Sequence, residues 1–168
     1  KPHAWVPGCL ELTGVGDLTT LEPFREGKLL VQDPAARLVS LIAGVQPGQR
    51  VLDVCAAPGG KSFSAAFAMG DKGRIISCDV HGSKLKRIEE GAARLGLTSI
   101  ETAASDGRVF RPEWADAYDT VLVDAPCSGL GIIRKKPDVR YKRADDLFTL
   151  PVVQTALLDN AARYVAPG

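Results

Sequence analysis

The residues that could do chemistry sit in three places along the chain. The first is Cys55-Ala56-Ala57-Pro58-Gly59-Gly60-Lys61, which follows the apolar run Val51-Leu52-Asp53-Val54. Proline has no backbone N–H for a sheet ladder and stops a strand. Paired glycines let the backbone turn sharply and come close to a ligand. A helix opening at about Lys61 then offers free N–H groups, which attract polar or anionic ligand groups. The second place is a set of aspartates, Asp79, Asp106 and Asp124, each at or just past the end of a β-prone stretch. One acid there is commonplace; three beside a glycine turn point to a site with donors to satisfy. The third is Asp124-Ala125-Pro126-Cys127, which sets a thiol three residues from one of those acids. By position alone Cys127 reads as a small packed residue in a turn. Its place after Asp-Ala-Pro, at a strand end beside the glycine turn, reverses that preference.

A glycine turn at the carboxyl end of a first strand is the usual seat of a nucleotide-type cofactor. An acid about 20 residues further on, at the end of the next strand, holds the ribose hydroxyls in such sites. Asp79 fits that position, closing Arg74-Ile75-Ile76-Ser77-Cys78. The turn is not G-x-G-x-x-G, so a mononucleoside-like cofactor fits better than a dinucleotide. The competing reading is an ordinary βα turn with no ligand. Just beyond Cys127, the cations Arg134, Lys135, Lys136, Arg140, Lys142 and Arg143 fall within ten residues. They read either as a solvated loop or as contacts to nucleic-acid phosphates, and their place after the Cys127 turn favours RNA.

The elements that must position these groups follow from spacing. Strands are expected at Val51–Val54, Arg74–Asp79, Ile100–Ala104 and Thr120–Asp124. Asp33 followed by Pro34 is a helix opening, and the helix Pro34–Ala43 places Leu38, Leu41 and Ile42 on one face. A second helix runs from about Lys61 through Phe63, Ala66 and Phe67 to Gly70. Ser83 can cap a third, with Leu85, Ile88, Ala92 and Leu95 at helical spacing and Gly96 closing it. A last helix spans about Leu147 to Tyr164, and residues 107–117 form a loop or short helix holding Trp114. Steady alternation of strand and helix predicts an α/β fold, a doubly wound and mostly parallel sheet. Residues 1–28 read as a lead-in of loops and small strands, the end of a preceding small domain, and residues 29–168 as the domain proper. A fifth strand is expected to start at Pro167-Gly168. The fourth strand is therefore expected to have an open edge and an uncovered apolar face, covered by further sequence or by self-association.

At 168 residues and 45% hydrophobic, the chain is long and apolar enough for one domain with a sizeable core. It has no apolar run of the roughly 18 residues that a membrane span needs, and no signal peptide opens it. Lys1 is not a natural start and is read as the beginning of a piece of a longer protein. The formal charge is only +1, so any RNA contact must use a local patch. The cysteines Cys9, Cys55, Cys78 and Cys127 make no C-x-x-C pair, so no metal site is expected. Their wide spacing suits the reduced thiols of a cytoplasmic protein. Cys55 and Cys78 read as packing residues, His3 and His81 as surface residues, and Trp5 and Trp114 as packing rather than base-stacking groups.

With these residues in view, the chain resembles the RNA cytosine-C5 methyltransferases of the Sun/Fmu (ribosomal RNA small-subunit methyltransferase B) family. The likeness lies in Phe24-Arg25-Glu26-Gly27 leading to Val31-Gln32-Asp33-Pro34-Ala35, in Asp53–Lys61, in Asp124-Ala125-Pro126-Cys127-Ser128-Gly129-Leu130-Gly131, and in Pro137-Asp138. It covers roughly residues 5–168. The resemblance implies a Rossmann-like class I methyltransferase fold and S-adenosylmethionine bound along Cys55, Ala56, Ala57, Pro58, Gly59, Gly60 and Lys61. It implies that Asp79 accepts from the ribose, Asp106 from the adenine amino group, and that Asp124 lies beside the methionine end and the target cytosine. Gln32-Asp33-Pro34 would close over the cofactor. In this family Cys127 assists product release, and the nucleophile is a second cysteine, in a Thr-Cys motif on the strand after a Pro-Gly turn. That strand would start just past Gly168, so the piece is expected to bind cofactor without completing turnover. Ribosomal RNA is the implied substrate, with transfer RNA, or a catalytically silent RNA-binding fold, as the alternatives. A nicotinamide-dependent reductase is disfavoured by the missing G-x-G-x-x-G.

Overall fold

The four β-prone runs become four parallel strands: β1 (Arg50–Asp53), β2 (Arg74–Asp79), β3 (Ile100–Ala104) and β4 (Thr120–Leu122). They form one sheet in the order β3-β2-β1-β4. The computed structural model describes residues 1–134, 136–141 and 145–167, with Asp145 and Asp146 at the backbone only. Among the helices, α1 is Glu22–Arg25, α2 is Pro34–Ile42, α3 is Gly60–Ala68, α4 is Gly82–Leu95 and α5 is Asp145–Ala162.

Side chains alternate across a strand, so adjacent residues feed opposite cores. Val51 and Ile75 point to one face, where Phe63, Ala66 and Met69 meet Ile88 and Leu95 of α4. Leu52 and Ile76 point to the other, where they pack with Tyr118 and with Leu157, Ala161 and Tyr164 at the C-terminal end of the chain. Trp114 completes that second core, edge-on to the rings of Tyr118 and Tyr164. With helices on both faces, the sheet is doubly wound, as its alternation predicts. The order reverses between β1 and β4, and such a reversal opens a crevice beyond the strands' carboxyl ends.

Several expectations are corrected. The face of β4 is not bare, since α5 lies over it, while among the described residues no further strand pairs with its outer edge and Val165 bridges only to Tyr118, just before the strand begins. The helix expected from a Ser83 cap starts earlier, at Gly82 after His81, with no side-chain cap bond. The last helix starts at Asp145 and carries Pro151 inside it. Strand β4 stops at Leu122, two residues short of Asp124, which leaves that acid free to leave the ladder. The apolar face of α2 is largely open, with Ile42 83% exposed, while Ser40 is its buried residue. Trp5 is 86% exposed and does not pack. Within the lead-in, Pro2 and Leu10 form an antiparallel bridge, and a 3₁₀ turn at Leu18–Thr20 precedes α1. Among the described residues no helix is long and apolar enough to cross a membrane.

Candidate functional site

The end of β1 makes the site. After Asp53 the chain turns through Cys55–Gly59 and enters α3 at Gly60. Gly59 sits at φ +107°, and a Cβ there would lie 2.4 Å from the Phe63 ring. Both facts require glycine, so the turn can close only with this residue. The Ala56 N–H donates to the Cys78 carbonyl of the neighbouring strand at 2.7 Å, tying the turn to β2. Lys61, in the first turn of α3, reaches across the crevice and pairs with Asp124 Oδ2 past the end of β4.

A cavity of about 360 Å³ opens at this rim, lined by Cys55, Asp79, His81, Lys84, Asp106 and Asp124, among others. Val54, Val153 and Leu157 supply its apolar wall. The three predicted acids are therefore brought together. The Asp79 side chain is only 10% exposed, accepts from the His81 N–H at 2.8 Å, and lies 3.7 Å from Lys84 Nζ. Asp106 is gripped by Arg108, whose Nη2 and Nε lie 2.6 and 2.9 Å from its oxygens. These hydrogen bonds hold its carboxyl below the usual carboxylate range. The Asp124 side chain is 55% exposed and faces the open end.

Of the turn, Cys55 and Ala57 line the cavity. Ala56 is buried and Gly59 backs onto Phe63, while Pro58, Gly60 and Lys61 stand outside the lining. Burial, and then the carboxylates of Asp53, Asp79, Asp124 and Asp106, push the Cys55 thiol up to about 11. Burial, followed by Asp53, pushes Cys78 up to about 12. Both shifts disfavour the thiolate, the form that reacts. Cys127 is exposed on the segment after β4. Gly129, two residues on, packs on Val139, which a Cβ at Gly129 would meet at 3.4 Å. That contact ties the Cys127 turn to the 3₁₀ turn Pro137–Tyr141, where Arg140 lies; Arg134 and Lys136 are exposed just before it. Lys135, Lys142 and Arg143 lie outside the described residues. Among the described residues no group of three or more His, Cys, Asp or Glu could hold a metal ion.

The profile of the 16S rRNA methyltransferase RsmB/F family matches residues 40–168. The chain belongs to the RsmB/F family. It is 42% identical over 147 residues to the "Probable ribosomal RNA small subunit methyltransferase B" of Bacillus subtilis (strain 168), a match covering 86% of this chain and 33% of that protein. It is 36% identical over 169 residues to the ribosomal RNA small subunit methyltransferase B of Vibrio cholerae serotype O1 (strain ATCC 39315 / El Tor Inaba N16961), covering 99% of this chain and 38% of that one. The chain thus spans between 33% and 38% of the length of these curated relatives. Among solved structures, NSun6 from Pyrococcus horikoshii with SFG superposes with a TM-score of 0.80 at 26% identity, over 92% of this chain and 39% of that one.

Within the RsmB/F match lie further residues that bear on the site. Asp53 is fully buried; its Oδ2 accepts from Ser62 Oγ at 2.7 Å, and Ser77 Oγ lies 2.8 Å from Ser62 Oγ. Its Oδ1 has no hydrogen-bond partner. Burial raises its pKa to about 6, with Ser62 opposing and Asp124 reinforcing the rise. An acid inside an apolar strand run was the available signal. His81 is exposed, as expected of a surface residue, and together with Lys84 it also lines the cavity. Their places, two and five residues after Asp79, were the clue.

Proposed function

We propose that the chain holds S-adenosylmethionine in the cavity and serves methyl transfer to C5 of a cytosine in ribosomal RNA. The observation that carries this is the convergence of Asp79, Asp106 and Asp124, from three strand ends, on one cavity of about 360 Å³. The residues suit such a ligand. Two carboxylates on neighbouring strands face a cavity whose remaining wall includes Val54, Val153 and Leu157. That matches a molecule with hydroxyl and amino donors around an apolar middle. Family membership points the same way, and so does a similar fold solved with SFG.

Bound there, the cofactor supplies an electrophilic methyl group on a sulfonium. Asp79 accepts from the ribose hydroxyls. Asp106 accepts from the adenine amino group, for which one of its oxygens must leave Arg108. Asp124, kept at the open end by Lys61, accepts from the N4 amino group and holds that edge of the base in place. Cytosine C5 is a poor nucleophile. A thiolate adding to C6 makes the ring an enamine, so that C5 can attack the methyl; loss of the C5 proton and expulsion of the thiol restore the aromatic ring. Cys127 serves release of the product, the role that the family resemblance implies. The target base must leave its stack to reach the rim, so an unpaired or flipped-out cytosine is the substrate. Arg134, Lys136 and Arg140 contact phosphates on either side, joined by Lys135, Lys142 and Arg143.

Calorimetric titration with S-adenosylhomocysteine tests this. The protein binds it, and Asp79→Ala weakens binding by about 1–3 kcal/mol, as for a charged hydrogen-bond partner removed. Absence of binding by the folded protein overturns the reading. Unchanged affinity in the variant overturns the ribose assignment.

A further inference from the structure

The glycine turn is held from outside the sheet as well as from within it. Gln32 lies before α2, far from the turn in sequence. Its Nε2 donates to the Gly60 carbonyl at 3.0 Å, and its Oε1 accepts from Ser64 Oγ at 2.8 Å. One side chain thus spans the first turn of α3, the turn that carries Lys61. Hydrogen bonds of this kind fix the side-chain amide at both ends, so Gln32 acts as a strut rather than a loose surface group.

The strut has its own anchor. Residues 24–30 run onto the C-terminal end of α4, where Arg94 holds them at three points. Its Nη1 donates to the Phe24 carbonyl at 2.7 Å and to the Leu29 carbonyl at 3.0 Å. Its guanidinium lies 4.0 Å from the centroid of the Phe24 ring. The backbones are in near contact as well: a Cβ on Gly27, at φ +73°, would fall 2.0 Å from the Arg94 carbonyl oxygen. Leu30 then packs on the core, two residues before Gln32. The chain from Phe24 to Gln32 is a strap fastened at one end to α4 and at the other to the start of α3.

We infer that Gln32 is a positioning residue for the cofactor turn, and that Arg94 sets where Gln32 stands although it lies at the far end of the strap. The inference rests on the cavity being the cofactor site. It adds that the affinity of this site depends on a side chain outside the cavity lining and on a second one at the end of α4. Lys and Arg are not interchangeable here. One nitrogen serves both carbonyls while the flat guanidinium lies on the Phe24 ring, and a lysine ammonium has no such planar face to stack.

A double-mutant cycle with S-adenosylhomocysteine titration tests it. Gln32→Leu removes both hydrogen bonds at similar size and is expected to weaken binding roughly tenfold. Arg94→Lys is expected to weaken binding by a smaller factor in the otherwise unchanged protein. In the Gln32→Leu background it is expected to change binding no further, because its effect passes through the strut. Its effect on the urea midpoint should persist in both backgrounds, which separates positioning from simple destabilisation. If Gln32→Leu fails to fold, Gln32→Glu decides: it still accepts from Ser64 but cannot donate to Gly60, and it should also lose about tenfold. Full affinity in a folded Gln32 variant, or equal Arg94→Lys effects in both backgrounds, overturns the inference. Failure of the unmutated protein to bind overturns the cofactor reading instead, so the two failures are told apart.

Discussion

Asp53 is the residue whose chemistry is most out of place: a carboxyl with no exposure, one oxygen on Ser62 and the other without a partner. Its folded pKa of about 6 stands above the ordinary value of 3.8. The fold therefore binds a proton that the unfolded chain releases. The corresponding stability is fully present below pH 3.8 and is lost as pH rises through about 6. The loss is on the order of 3 kcal/mol. Urea midpoints of the unmutated protein should fall from pH 4 to pH 7 relative to those of Asp53→Asn, which cannot titrate. Parallel pH curves would show that Asp53 is not the group responsible. The same acid borders the functional rim, since Asp124 raises it and Lys61 lowers it. Binding that rearranges the Lys61–Asp124 pair will be felt by Asp53.

At the scale of elements, Val139 packs on Gly129 and so sets the 3₁₀ turn Pro137–Tyr141, which carries Arg140, against the Cys127 turn. Changing Arg134, Lys136 and Arg140 to glutamine should weaken RNA binding across sequences. It should also flatten the slope of log affinity against log salt by about two to three. An unchanged slope in filter binding would remove these residues from the RNA contact. The elements themselves were largely legible in the sequence. Ile100–Ala104 emerges with the predicted bounds, because the turn residue Gly96 precedes it and Ser105-Asp106-Gly107 stops it. Strand β4 ends at Leu122 rather than Asp124, since Val123 is as β-prone in letters as the residues that pair and only the partner strand decides where pairing ends. Ser83 looks like a cap in the sequence, whereas His81 is still extended and the chain turns helical at Gly82, one residue earlier. The three acids at one rim could be read from strand ends alone. Gln32 on Gly60 and Lys61 on Asp124 could not, because those contacts depend on how distant segments pack.

For the whole molecule, the sheet order sets a gradient of protection. Strand β1 has a hydrogen-bonded neighbour on each side, and Val51 and Leu52 are fully buried in opposite cores. Strand β3 pairs on one side only and keeps Glu101 exposed. In hydrogen–deuterium exchange, the amides of β1 should exchange through global unfolding alone, and those in the outer half of β3 through smaller openings. Equal rates in the two strands would contradict this order. The open apolar stripe of α2 and the bare Trp5 belong to the outermost layer, which contributes little to that gradient.

The cofactor turn is the direct continuation of this innermost strand, so the segment that would grip a small molecule is rooted in the last part of the protein to come apart. Gradual warming should therefore leave ligand capture intact until the cooperative melt, and then abolish it in a single step.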